Sequence, residues 1–262
     1  MARLNAKVTG RVGAPPLVFA HGFGCDQHMW RLVTPAFEQD FRVVTFDHVG
    51  AGGSDLASYD PDTYSSLDGY VADVLDLVED LDLGPVTFVG HSVSSMVGVV
   101  ASVRRPELFD RLVLVAPSAR YIDDGDYVGG FSAADIDELL ASVESNYLGW
   151  SHGMAPAIMG NADQPELAEE LEASFCRTDP TIARRFAEVT FRSDNRDDLA
   201  AVTVPVLVLQ CRDDLIAPMT AGEYVRDHLP ESTFVVLDAV GHCPHLSAPG
   251  ATADAIGAFL RS

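Results

Sequence analysis

Short unbroken apolar runs recur along this chain, and each stops at a glycine, a proline or a polar loop. Residues 17–20 (LVFA) stop at His21-Gly22-Phe23-Gly24, and residues 42–47 (RVVTFD) run into the glycine-rich loop 50–55 (GAGGSD). Residues 86–89 (VTFV) stop at Gly90, and residues 111–116 (RLVLVA) stop at Pro117-Ser118. Residues 204–210 (VPVLVLQ) lead into Cys211-Arg212-Asp213-Asp214, and residues 233–238 (TFVVLD) into Ala239-Val240-Gly241-His242. Apolar runs without alternation predict strands buried on both faces, the condition of a parallel sheet. Residues 5–10 form a weaker strand candidate.

Helical patterns alternate with these strands. Leu67, Tyr70, Val71, Val74, Leu75, Val78 and Leu81 fall at three- and four-residue spacing, with Asp68, Asp73, Asp76, Glu79 and Asp80 largely opposite. That predicts an amphipathic helix over 67–83 with a solvated acidic face, ended by Gly84-Pro85. Helices are also predicted after Ser92, over 220–228 and near 252–260. The rhythm breaks once. From about Tyr121 to Asp197 nothing reads as a strand, and aromatic residues accompany short helices divided by Pro156, Pro165 and Pro180. A stretch of about 75 residues far exceeds an ordinary connection. The expectation is a mostly parallel sheet of about seven strands formed by residues 1–118 and 198–262. A helical lid of residues 119–197 would lie over the carboxyl ends of the strands, where such sheets bind ligands. About half of the lid aromatics are expected to form its own core, and the rest to line an apolar pocket.

The bulk numbers narrow the partners. A chain of 262 residues, 47% hydrophobic, suits one large domain with an insertion. Its net charge of −22, from 39 acidic and 17 basic residues, argues against nucleic-acid or anionic-membrane surfaces. Cys25, Cys176, Cys211 and Cys243 are scattered and form no C-x-x-C pair, which suggests reduced thiols in a cytoplasm. No signal-peptide pattern is found, and no apolar stretch reaches the roughly 18 residues of a membrane helix. A soluble cytoplasmic protein is expected, with a monomer as the default. The glycine-rich loops match neither a P-loop nor a dinucleotide fingerprint, so no cofactor is expected.

Candidate chemistry centres on Gly90-His91-Ser92-Val93-Ser94. Strand, sharp turn and helix around Ser92 nearly match the nucleophile elbow G-x-S-x-G, with the small residue Ser94 in place of the last glycine. Alone, this reads equally as a nucleophile or as a serine-capped helix start. A serine nucleophile needs a general base and a group to orient that base. His242 follows the last strand and Asp214 the one before it. Asp214 is preferred over Asp213 for its D-x-x-x-P spacing to Pro218, leaving Asp213 to cap the turn, and Asp123 or Asp124 are weaker alternatives. The order Ser–Asp–His is the one used on α/β-hydrolase sheets. Donors for a developing oxyanion are the N–H of Val93 and the N–H of Phe23. His242-x-x-His245 lacks a third ligand at metal spacing, so no metal is expected. His21 and His91 are read as holding loops by hydrogen bonds. His28, His48, His152 and His228 have no partner that the sequence names, and Cys243 is read as packing.

With these residues assembled, the chain resembles the α/β-hydrolase superfamily. Within it, the chain is similar to the RsbQ-like stress-response regulators and their plant relatives, the strigolactone and karrikin receptors. The resemblance rests on GFGCDQ (22–27), LDGYVADVLD (67–76), VGHSVSSM (89–96), RRPELF (104–109), FCRTDP (175–180), LQCRDD (209–214) and GHCPHLSAP (241–249), and it extends into the lid. It implies an α/β-hydrolase fold with a four-helix lid after the sixth strand of the full fold, the first strand of the eight being missing here. It also implies Ser92, Asp214 and His242 as the triad, Phe23 and Val93 as the oxyanion hole, and Phe131, Trp150, Phe175 and Phe191 as pocket residues. Two functions follow. One is a serine hydrolase for a small hydrophobic ester or lactone. The other, implied by the resemblance, is a signalling protein that binds or slowly hydrolyses such a ligand and activates a PAS-domain phosphatase. Dehalogenases and epoxide hydrolases of this fold need a carboxylate at Ser92, whereas perhydrolases and C–C hydrolases share the serine triad.

Overall fold

The computed structural model describes residues 2–262. A seven-stranded sheet runs in the order β1-β3-β2-β4-β5-β6-β7. Its strands are β1 (Lys7–Gly10), β2 (Pro16–Ala20), β3 (Arg42–Phe46), β4 (Val86–His91), β5 (Phe109–Val115), β6 (Val206–Asp213) and β7 (Ser232–Val240). Only β1 is antiparallel to its neighbour, β3. It is an edge strand with all four residues exposed, whereas all six residues of central β4 are buried. This is the α/β-hydrolase fold, with the mostly parallel sheet that the apolar runs predict.

The unbroken runs divide between two cores because successive side chains point to opposite faces. Phe88, Leu112 and Leu114 join α1 (Leu67–Asp80) and α2 (Val93–Arg104) on one face. Val89, Val113 and Val115 join Trp30 and α9 (Pro249–Leu260) on the other. Helix α1 stops at Asp80, short of the predicted 83, because Asp82 (φ 46°) and Gly84 (φ 68°) take left-handed backbone. Strands β6 and β7 run past their predicted ends to Asp213 and Val240.

Four helices stand between β5 and β6: α3 (Ala133–Ser145), α4 (Tyr147–Met159), α5 (Pro165–Cys176) and α6 (Pro180–Arg192). Pro165 and Pro180 open helices, where the missing N–H costs nothing. Pro156 does not divide the region as expected but lies inside α4; the break falls instead at Asn146, whose side chain caps Gly149 N–H. Helix α3 packs on α6 and α4 on α5. Most of the lid's apolar side chains form one cluster with Cys25, Met29, Ile216, Cys243 and Leu246 of the sheet's carboxyl-end loops, while Phe186 and Val189 of α6 join the core of α1 and α2. The remaining helices are α7 (Met219–His228) and the short α8 (Pro244–Ser247).

Candidate active site

Strand β4 ends at His91 and α2 begins at Val93, so Ser92 alone makes the turn, at φ 57° and ψ −124°. A non-glycine residue persists there only because its surroundings hold it. Its N–H donates to Val115 O of β5 at 2.9 Å. Position 90 must be glycine, because a Cβ there would stand 2.3 Å from Ser94 O. The turn brings Ser92 Oγ to 2.8 Å from His242 Nε2, and His242 Nδ1 to 2.8 Å from Asp214 Oδ2. A carboxylate only accepts, so Nδ1 carries the proton and Nε2 is the bare nitrogen facing the serine hydroxyl.

Three loops fix this geometry. His242 N–H donates to Ile158 O of lid helix α4 at 2.8 Å, and Gly241 N–H donates to Asp213 O at 2.7 Å. Asp214 Oδ1 accepts the N–H groups of Ile216 and Ala217 at 2.8 and 3.0 Å. Asp214 therefore caps its own turn while its other oxygen holds the imidazole, and its side chain is fully buried. The turn-capping role expected of Asp213 is not seen; that side chain is 69% exposed beside Arg212. Asp123 accepts from the N–H groups of Gly129 and Gly130, and Asp124 pairs with Arg196, so neither reaches His242.

Val93 is the first helical residue, so its N–H lies outside the intrahelical ladder. The Phe23 N–H has no partner among the described residues. The other end of its peptide, Gly22 O, is held by His21 Nδ1 at 2.8 Å and Cys25 N–H at 3.3 Å. This loop runs against the serine: a Cβ on Gly22 would stand 3.1 Å from Ser92 Cβ.

Above Ser92, a cavity of about 30 Å³ is lined by Phe23, Leu139, Trp150, Ile158, Phe175 and Phe191. That holds roughly two waters, so a larger ligand must spread the lid aromatics. The Phe23 ring lies 5.8–6.1 Å from those of Trp150, Phe175, Phe186 and Phe191. Phe131 is not part of this wall. It sits partly buried in the loop before α3, bridged to Ile122, with its ring 6.3 Å from that of Phe191.

The structure adds residues that sequence reasoning missed. Tyr121, grouped with the lid aromatics, is buried beyond the end of β5 and places its hydroxyl 3.3 Å from Ser92 Oγ. Burial pushes its phenol up, so the O–H stays protonated. Thr190 of α6 stands in the cavity wall, and its buried hydroxyl has no partner among the described residues. Cys25 and Cys243 also line the cavity, and burial raises both thiols, which keeps them uncharged. His48 is buried and bonded to Ser94 Oγ at 2.7 Å; nothing in the sequence pairs residues so far apart. His91 Nε2 donates to His242 O at 2.8 Å, and the His245 ring packs tilted against that of Trp30, 4.7 Å between centroids. Among the described residues no group of three or more His, Cys, Asp or Glu is placed to hold a metal ion, and no helix is long and apolar enough to cross a membrane.

The model of the Alpha/beta hydrolase family matches residues 17–255. Strigolactone esterase D14 of Arabidopsis thaliana is 42% identical to this chain over 259 residues, covering 98% of the chain and 95% of that protein. Karrikin insensitive 2 receptor CA of Petunia hybrida is 39% identical over 246 residues, covering 94% and 91%. A solved hydrolase from Oleispira antarctica superposes with a TM-score of 0.96 at 39% identity, covering 100% of this chain and 96% of that one.

Proposed function

The chain belongs to the Alpha/beta hydrolase family, and from that premise we propose that it hydrolyses a small, largely apolar carboxylic ester or lactone with Ser92 as nucleophile, His242 as general base and Asp214 as its orienting carboxylate. The observation that carries this reading is the unbroken chain Ser92 Oγ–His242 Nε2 and His242 Nδ1–Asp214 Oδ2, both links 2.8 Å. Ser92 Oγ attacks the acyl carbon while its proton passes to His242 Nε2. The carbonyl oxygen, becoming an oxyanion, accepts from the N–H groups of Phe23 and Val93. His242 then returns the proton to the leaving alkoxide, and a water activated at the same nitrogen releases the acid from the acyl-serine. The aromatic wall accounts for the apolar preference. Trp150, Phe175 and Phe191 offer no charge partner, and the Thr190 hydroxyl, unpartnered among the described residues, is available to a further oxygen elsewhere on the ligand.

Ser92→Ala is expected to keep the fold and to lose at least about 10³-fold in kcat on p-nitrophenyl acetate. The wild type should gain one sulfonyl group from a sulfonyl fluoride, and the variant none. Retained turnover in Ser92→Ala would remove Ser92 from the mechanism.

A second reading is favoured by one finding, the 39% identity to a receptor across nearly the whole chain. On this reading the same site binds or slowly turns over its ligand, and the occupied protein activates a PAS-domain phosphatase, as in RsbQ-like regulators. Its mark is a turnover far slower than ligand binding, together with retention of purified phosphatase only when ligand is present. Retention that is independent of ligand, or no retention, removes it.

A further inference from the structure

Ser94 occupies the place of the last glycine of the elbow motif, and it is fully buried. Its hydroxyl has two partners. It stands 2.5 Å from His21 O and 2.7 Å from His48 Nε2. A carbonyl only accepts, so the serine O–H donates to His21 O, and the His48 Nε2–H donates to the serine oxygen. His48 Nδ1 is then bare, and it has no partner among the described residues. The His48 backbone N–H donates to His21 Nε2 at 3.1 Å, which leaves the His21 proton on Nδ1, where it is given to Gly22 O. Every proton in this relay has one place.

The relay ends on a functional peptide. The carbonyl and N–H of a trans peptide point in opposite directions. Holding Gly22 O therefore aims the N–H of Phe23, one of the two donors assigned above to the oxyanion. The loop bearing it packs against the elbow: a Cβ on Gly22 would stand 2.6 Å from His91 Nδ1 and 3.1 Å from Ser92 Cβ. Ser94 sits two residues after Ser92, in the first turn of α2. Its hydroxyl is thus a direct tie between the element carrying the nucleophile and the loop carrying the oxyanion donor.

We propose that Ser94 is a positioning residue for the oxyanion hole: by gripping His21 O, with His48 holding its oxygen in place, it sets the distance between the Phe23 N–H and Ser92 Oγ. A glycine at this position has no hydroxyl to make the tie. The inference rests on the proposed hydrolase reading and adds a role to the chain's own departure from the motif.

Ser94→Ala and Ser94→Gly, assayed on p-nitrophenyl acetate, are expected to lose about tenfold to a hundredfold in kcat, less than the 10²–10³ of removing an oxyanion donor outright. KM should move less than about threefold. Affinity for a trifluoromethyl ketone, which becomes an oxyanion on Ser92, should fall in parallel with kcat, while affinity for the matching alcohol stays. A second variant guards against simple misfolding. His48→Gln keeps an N–H donor near the Nε2 position and should retain most of kcat, whereas His48→Phe keeps the ring's packing without the donor and should lose part of it. Folded Ser94 variants with wild-type kcat and ketone affinity overturn the proposal. So does a loss in KM and alcohol affinity equal to the loss in kcat, which marks general damage to the pocket. A wild type that neither turns over the ester nor reacts with a sulfonyl fluoride overturns the hydrolase reading itself, a result distinct from an active enzyme indifferent to Ser94.

Discussion

Ser92 stands between two histidine systems built from the same residue type to different ends. On the β6–β7 side, His242 meets a carboxylate at one nitrogen and a hydroxyl at the other. On the β2–β3 side, His21 and His48 make their bonds to backbone groups and to Ser94, with no carboxylate in hydrogen-bond contact. Both systems are buried. The carboxylate makes the difference, because it can compensate an imidazolium formed in the reaction, and a backbone carbonyl cannot do so to the same degree. Burial without such a partner lowers the pKa of His21, and of His48 still further, which keeps both neutral and fixed as framework. Histidine content alone says nothing about which side reacts; the group facing the second nitrogen decides it.

The largest test of this contrast is Asp214→Asn. It keeps the shape and the turn-capping oxygen but removes the charge facing His242, and kcat is expected to fall by about 10⁴-fold with little change in KM. Steady-state assay on an activated ester measures both. If His48→Gln cost as much as Asp214→Asn, the two sides would be functionally alike and the contrast would fail.

The lid answers to different physics and should move different observables. Trp150 packs with its ring 5.1 Å from that of Phe175 and 6.1 Å from that of Phe23. Trp150→Ala removes a large buried ring, and a loss of about 3–5 kcal/mol in unfolding free energy is expected, read from urea melts. It also enlarges the cavity, so KM for a small ester should rise while kcat stays within about tenfold. A kcat loss comparable to that of Asp214→Asn would place the lid within the reacting geometry rather than around it.

These two regions also differ in how much of them the sequence reveals. Ser92, Asp214 and His242 are legible because each follows an apolar run that can only be a buried strand, and loops at such ends are where side chains converge. The lid's helical character is legible for the converse reason, the absence of any such run. Which aromatic faces the cavity is not. Phe131 and Tyr121 both lie in the irregular stretch between β5 and α3, where no period sets side-chain direction; the first falls outside the wall and the second reaches Ser92. The break before α4 misleads for a related reason, since Pro156 is carried inside the helix while α3 ends at Asn146, whose side chain caps the start of α4. The Ser94–His48 bond joins residues 46 apart through side chains of ordinary composition, and no local pattern announces it.

Proton counting separates the two sides by the smallest margin. His21, His48, His91 and His245 are all held below the ordinary value of 6.5, first by burial, His245 to about 3. Below pH 6.5 the unfolded chain therefore binds more protons at these positions than the folded chain. The stability they confer is complete above that pH and is lost as pH falls, by about 1.4 kcal/mol per pH unit for each ring still neutral in the fold. Asp73 of α1 runs the other way. Burial pushes its carboxyl up from 3.8 to about 6, although Arg3 at 2.8 Å opposes the shift. Between those values the folded chain keeps a proton that the unfolded chain has released, so this contribution is present at low pH and is lost as pH rises through about 6. Asp73 thus cancels one histidine proton between about pH 5 and 6. Asp73→Asn removes the cancellation, and the slope of unfolding free energy against pH should steepen there by about 1.4 kcal/mol per unit. At neutral pH, kcat/KM on an activated ester should stay within about twofold of the wild type, because Asp73 lies outside the Ser92–His242–Asp214 chain. An unchanged stability slope would mean that Arg3 holds Asp73 ionised in the fold. A changed kcat/KM would mean that the framework and the reacting side are coupled, and the division drawn across Ser92 would not stand.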